Sequence, residues 1–232
     1  MKPDRTPISF FLDTASLADI AYWKEFGVVE GVTTNPALLA KEGGDPLQQL
    51  KAVAALVDGP VSAEVTCTDA ADMIRQGLGL SALAPNIVIK LPALPQGYFA
   101  ARELKRRGIK LNITLTFQPA QAIPFLKLNP DFVSLIVGRV EDFGLDSVPL
   151  IKEMRDTIDS LGSTTKLLTA SIRNPSHLTA AVNGGSHAVT VPPSTWKLIL
   201  SNPLSVRGEQ DFMESWKSLD GHLRKGYETI GE

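Results

Sequence analysis

Cysteine is nearly absent from this sequence. Cys67 is its single thiol, so no internal disulfide framework staples the fold, and a reducing compartment suits the chain. Histidine is almost as scarce: His177, His187 and His222 are scattered without the spacing of a metal site. No apolar run reaches the roughly twenty residues of a membrane span. The apolar stretch after Met1-Lys2-Pro3-Asp4-Arg5 is about five residues long, too short for a signal-peptide core, and the expected location is the cytoplasm. An excess of one charge is missing too. The 23 basic and 25 acidic residues leave a net charge of −2, which draws the protein to neither nucleic acid nor an anionic membrane. Small molecules are the expected partners. A GxxxxGK[ST] loop and a GxGxxG turn are both lacking, so no cofactor and no metal ion is indicated.

What is present is a repeated alternation. The 232 residues are 44% apolar, enough for a sizeable core. Short β-branched runs fall near 8–13, 28–34, 61–66, 86–91, 110–116, 131–137, 166–170 and 187–191. Between and after them lie helical stretches near 16–26, 45–57, 69–84, 96–107, 119–128, 146–161, 175–184 and 193–201, commonly opened by Ser, Thr, Asp or Pro. With no linker or low-complexity break, eight βα units predict an α/β fold, a closed (β/α)₈ TIM barrel, over an open doubly wound sheet. The barrel is expected over residues 1–205, and residues 206–232 form a C-terminal helical arm of the same domain. From Val206 to Tyr227, Phe212, Trp216, Leu219 and Leu223 recur at steps of four, three and four, which predicts one helix with a buried stripe. Whether it lies as a lid on its own barrel or packs on a neighbouring subunit is left open by periodicity.

Active sites of this architecture form at the C-terminal ends of the strands, and polar residues end these runs one after another. Asp13 closes the first and Thr33-Thr34-Asn35 the second. Glu64, Lys90 and Thr114 lie near the ends of the third, fourth and fifth, while Arg139 follows the sixth and Ser171 the seventh. Lys90 stands out, because a strand buried on both faces rarely holds an ammonium group. Desolvation favours the neutral amine, which attacks carbonyls; snorkelling, or an ion pair with Glu64 or Asp13, is the plainer reading. Glu64 and Thr114 beside Lys90 suit proton transfer through a water. Asp13 is either a helix cap or the base that takes a hydroxyl proton. Arg139, Ser171 and the helix start after Asn174 suit a phosphate.

Seven stretches in order are similar to one family: Phe11-Leu12-Asp13-Thr14-Ala15, Gly27 to Pro36, Ala63-Glu64-Val65, Asn86 to Pro92, Leu111-Asn112-Ile113-Thr114, Val137-Gly138-Arg139 and Ala170 to Pro175. The chain resembles the small transaldolases and the related fructose-6-phosphate aldolases. The resemblance implies a barrel in which Lys90 forms a Schiff base with the ketose C2, Asp13 handles the C4 hydroxyl proton, and Glu64 and Thr114 position the catalytic water. It implies further that Thr33 and Asn35 bind the three-carbon unit, that Arg139 and Ser171 contact the phosphate with Arg173 as a third, and that the chain assembles as a pentamer or decamer with the C-terminal helix on a neighbour. The acidic Glu64 is similar to the transaldolase branch, whose donor and acceptor would be fructose 6-phosphate and erythrose 4-phosphate. The alternatives are an aldolase releasing free dihydroxyacetone and a non-catalytic sugar-phosphate-binding barrel. Three positions depart from the family pattern: Leu135 and Ile136 stand where proline and an aromatic residue are usual, and Leu94 stands near a usual threonine.

Overall fold

The computed structural model describes residues 7–230. All eight expected strands form: β1 (Ser9–Asp13), β2 (Gly31–Thr33), β3 (Val61–Glu64), β4 (Ile87–Pro92), β5 (Leu111–Thr116), β6 (Phe132–Ile136), β7 (Lys166–Ala170) and β8 (Ala188–Val191). They pair in parallel in sequence order, and β8 closes on β1. The described helices are α1 (Leu17–Phe26), α2 (Pro36–Glu42), α3 (Pro46–Leu56), α4 (Ala70–Ser81), α5 (Pro95–Arg106), α6 (Pro119–Leu126), α7 (Val137–Asp142), α8 (Val148–Ser160), α9 (Pro175–Asn183), α10 (Pro193–Leu200), α11 (Pro203–Lys217) and α12 (Gly221–Glu228). The chain is thus a (β/α)₈ barrel with additional helices.

Helix starts follow their local chemistry. Asp69 accepts from the backbone N–H groups of Ala71 and Asp72 at the head of α4, and prolines occupy the first turns of α2, α3, α5, α6, α8, α9 and α11, where their missing N–H is no loss. Two helices have no counterpart in the helical stretches read from the sequence. α2 buries no residue, so it carries no apolar stripe to detect, and α7 begins directly where β6 ends, so its residues read as the continuation of a strand.

Successive residues of a strand face opposite sides, and this parity builds the barrel interior. Phe11, Val88, Phe132, Ile136, Leu168, Ala170 and Ala188 form one apolar cluster, with the rings of Phe11 and Phe132 edge to face at 5.7 Å. Two residues on from Phe11, Val88 and Ala188 stand Asp13, Lys90 and Thr190. Gly31 is required beneath them: a Cβ there would lie 2.8 Å from the Phe11 ring.

The chain divides into two compact units, residues 1–195 and 196–232, with the boundary within α10. In the second unit the single expected helix is two. Asp220 accepts from the His222 N–H at 2.9 Å and starts α12, so the stripe is cut at Leu219. Trp216 meets the Tyr227 ring at 5.0 Å and donates to Glu228 at 2.8 Å. Phe212 and Leu223 of the expected buried stripe are 77% and 62% exposed. Among the described residues, no helix is long and apolar enough to cross a membrane.

The first turn of α5 approaches the end of β4 so closely that a Cβ on Gly97 would sit 2.0 Å from the Pro92 carbonyl oxygen. A backbone atom cannot step aside as a side chain can, so Gly97→Ala is expected to lower unfolding free energy by about 1–3 kcal/mol. Gly79 in α4 has nothing within 4 Å of the same added atom, and Gly79→Ala should stabilise by up to about 1 kcal/mol through helix propensity. Urea unfolding of the two variants checks both signs.

Candidate active site

The strand ends surround a cavity of about 590 Å³ lined by Asp13, Thr33, Asn35, Glu64, Lys90, Thr114, Arg139 and Ser171. Eight of the nine expected site residues therefore meet in one place. Arg173 is the ninth, and it is not among the lining residues: its guanidinium is held by both carboxylate oxygens of Asp142. The reason is positional, because α7 brings an acidic residue within reach of the loop after β7, and nothing in a single run of sequence pairs those two segments.

Lys90 is 8% exposed. Its Nζ donates to the Thr34 carbonyl at 3.0 Å and lies 3.0 Å from Glu64 Oε2. The ion pair weighed from sequence is therefore present, inside the cavity. Register explains it: Glu64 on β3 pairs with Lys90 on β4, and Lys90 with Asn112 on β5. A buried pair in such a place is weak evidence of a stabilising role, since desolvation opposes the attraction. What it supplies is a carboxylate able to accept the ammonium proton.

Asp13 and Thr33 are partners in the β1–β2 register. The Thr33 hydroxyl donates to Asp13 Oδ1 at 2.7 Å and lies 2.6 Å from the Thr190 hydroxyl. Thr33 has one proton to give, so Thr190 donates to Thr33. Burial holds the Asp13 carboxyl above its usual range; the Lys90 charge and the Thr33 hydroxyl oppose that rise, and the Glu64 charge adds to it. A carboxylate made more basic in this way is suited to take a proton from a hydroxyl. The capping role weighed for Asp13 falls elsewhere, because Ser16 accepts from the Asp19 N–H at the start of α1.

Asn35 caps α2, its Oδ1 accepting from the Leu38 N–H at 2.9 Å. Its carbonyl is thereby engaged and its amide NH₂ is the part suited to a ligand oxygen. At the other side Arg139 extends from α7, and Ser171 adopts a left-handed φ of 63°, a conformation that costs a non-glycine residue about 1–2 kcal/mol. The helix start expected to offer N–H groups is already partly used, since Asn174 Oδ1 accepts from the His177 N–H at 2.9 Å.

Ile136, noted in the sequence as a departure from the family pattern, lines the cavity, as do Ser134, Thr190 and Lys41, which the sequence did not single out. Ser134 and Thr190 had a signal, each being a hydroxyl in the middle of an apolar strand. Ser134 donates to Asn112 Oδ1 at 2.7 Å, and Asn112 Nδ2 donates to Ser62 at 3.1 Å, so a line of polar side chains crosses the barrel below the cavity mouth. Lys41 is on α2 and had none. Among the described residues no group of three or more His, Cys, Asp or Glu is arranged to hold a metal ion.

A family model described as transaldolase/fructose-6-phosphate aldolase matches residues 10–225. A probable transaldolase of Brevibacillus brevis is 41% identical over 210 residues, covering 90% of this chain and 98% of that one. Probable transaldolases of Leptospira biflexa and Thermodesulfovibrio yellowstonii are 39% and 40% identical, covering 92% and 91% of this chain and 100% and 99% of theirs. The chain belongs to the transaldolase/fructose-6-phosphate aldolase family, and its relatives share the length of the barrel with it.

Because Asp13 is held above its ordinary pKa of 3.8, the folded state binds its proton more tightly than the unfolded state does, and stability falls as pH rises through the carboxylate range. Asp13→Asn keeps an acceptor for Thr33 and removes that loss. The variant is expected to melt at a higher temperature than the parent at pH 7, by a margin that narrows as the pH is lowered. Calorimetry at a series of pH values reads both the sign and the trend.

Proposed function

We propose that the chain is a transaldolase, moving a dihydroxyacetone unit from a ketose phosphate such as fructose 6-phosphate to an aldehyde acceptor such as erythrose 4-phosphate. The observation that carries this reading is the Lys90 amine held 3.0 Å from the Glu64 carboxylate in a cavity that also contains the more basic carboxylate of Asp13. In this reading Glu64 takes the proton of the Lys90 ammonium, and the neutral amine adds to the C2 carbonyl. Glu64, with Thr114 beside it, then returns a proton so that the carbinolamine loses water as an iminium ion.

Asp13 takes the proton of the C4 hydroxyl. The C3–C4 bond breaks, its electron pair passes toward the iminium nitrogen, an enamine stays on Lys90 and the aldehyde half leaves. Addition to the acceptor aldehyde runs the same steps backwards, and water hydrolyses the new imine. Asn35 and Thr33 would hold hydroxyls of the three-carbon unit, Arg139 and Ser171 the phosphate. The carboxylate of Glu64 and the aliphatic Ile136 on the cavity wall support transfer over aldolase action, in line with the resemblance of the sequence to the transaldolase branch. The exposure of Phe212, Leu223 and Tyr227 supports a homo-oligomeric assembly.

Borohydride added with fructose 6-phosphate should attach the reduced sugar to Lys90, seen as a mass increment on the peptide that contains it; a modified chain with that peptide unchanged removes Lys90 as the nucleophile. The transfer step has its own measurement. Consumption of fructose 6-phosphate should depend on erythrose 4-phosphate, whereas equally rapid release of free dihydroxyacetone without any acceptor assigns aldolase chemistry to the site.

A further inference from the structure

His177 is a buried imidazole, 3% exposed, that does not line the catalytic cavity. Its Nδ1 accepts from the Arg173 backbone N–H at 3.2 Å. The proton of the neutral ring therefore sits on Nε2, which donates to Glu141 Oε2 at 2.7 Å. Glu141 accepts a second bond on its other oxygen from the Ser147 hydroxyl at 2.8 Å, and these two donors hold its carboxyl below the usual range. His177 opens α9 and Glu141 belongs to α7, so the bond ties the segment carrying Ser171 to the helix carrying Arg139.

That tie has work to do. α7 has six residues and no side-chain cap at its start, too little to hold itself as a helix. Ser171 is in a strained conformation. The two segments meet at backbone distance, because a Cβ on Gly138 would come within 2.5 Å of the Ser171 carbonyl and 2.7 Å of its hydroxyl. The other tie, Arg173 to Asp142, has side chains 47% and 51% exposed, where solvent screening leaves a pair worth little. The His177–Glu141 bond is the less exposed of the two, with side chains 4% and 37% exposed, and it is charge-assisted on the carboxylate side.

We infer that His177 and Glu141 are positioning residues for substrate phosphate: their hydrogen bond sets α7 against the loop after β7 so that the Arg139 guanidinium and the Ser171 hydroxyl converge on one anionic group. The inference rests on the reading of Arg139 and Ser171 as phosphate contacts. Neither positioning residue touches substrate, so their loss should appear in the binding of phosphorylated sugars and leave the chemistry at Lys90 in place.

The test compares the full-length enzyme with His177→Asn, His177→Gln, Glu141→Gln and Arg139→Ala. Each is assayed with fructose 6-phosphate and with unphosphorylated fructose as donors, and for competitive inhibition by inorganic phosphate. Asparagine keeps an acceptor near Nδ1 but is too short to reach Glu141, while glutamine places an N–H near Nε2. His177→Asn should raise the KM for fructose 6-phosphate and the inhibition constant of phosphate roughly tenfold, the worth of one hydrogen bond to a charged group, with kcat and the fructose reaction little changed. His177→Gln should recover most of the loss. Glu141→Gln can still accept from His177 on its carbonyl and donate its amide N–H to the Ser147 hydroxyl, but it lacks the carboxylate charge, and it should show a smaller loss of the same kind.

Equal losses with both donors, or no loss with either, in the His177→Asn and Glu141→Gln variants would overturn the inference and reduce the bond to a structural tie. Arg139→Ala separates that failure from a deeper one. If it too shows no preference for damage to the phosphorylated donor, the phosphate reading of this end of the cavity fails, and the positioning role fails with it.

Discussion

An ammonium group inside a barrel must be compensated, and Lys90 finds its compensation in Glu64 on the next strand and in the Thr34 carbonyl. Both partners are set by strand pairing: β3 and β4 run in register with Glu64 opposite Lys90. The arrangement of the other groups depends on this pair. Its charges reach Asp13, where Lys90 and Glu64 act in opposite directions and burial decides the outcome. A carboxylate kept basic near an amine, with a second carboxylate beside that amine, is an arrangement that suits two proton-handling groups with different tasks in one cavity, as the proposed mechanism assigns them.

The barrel makes this possible by stacking its interior. An apolar cluster that includes Phe11, Val88, Phe132 and Ala188 fills one level, the hydroxyls and amide of Ser62, Asn112 and Ser134 form a hydrogen-bonded line, and the charged groups stand at the strand ends. Because parity fixes which residues point inward, the same two-residue step that carries Val88 into the core carries Lys90 into the cavity. A register slip of one residue would exchange Lys90 with the fully buried Leu91, sending the charge among the surrounding helices. Fold specificity and site geometry are here the same constraint.

This is why the strand-borne half of the site was legible in the sequence. Apolar runs mark the strands, and a polar residue at the end of each run marks the cavity, so Asp13, Thr33, Glu64, Lys90 and Thr114 could be read one strand at a time. Ser134 and Thr190 escape that rule, because each lies inside its apolar run and not at the end of it. The rest depended on tertiary contact. α2 and α7 are short and lack a detectable stripe; the pairing of Arg173 with Asp142 joins two segments that no single run of sequence connects; His177 reads as a stray histidine because its partner is on another βα unit. The C-terminal stripe continued in periodicity through Leu219, while Asp220 and Gly221 stopped the helix locally.

The two ends of the cavity therefore differ in what holds them. Lys90, Glu64, Asp13 and Thr33 belong to strands whose hydrogen-bonded neighbours fix them on both sides, and moving any of them means moving the barrel. Arg139 and Ser171 lie beyond the strands, on a six-residue helix and a strained residue joined by side-chain hydrogen bonds. Arg173 uses two of its five N–H groups on Asp142 and has its charge compensated there, so on the proposed reading the anionic end of a substrate falls mainly to Arg139, the Ser171 hydroxyl and whatever keeps them facing each other. Ile136 stands where these two regimes meet, the last residue of β6 and the one before α7. Under the proposed mechanism, a change of side chain there alters the cavity wall without touching the reacting groups, so substrate preference can change at the junction of β6 and α7 while the bond-breaking chemistry is kept.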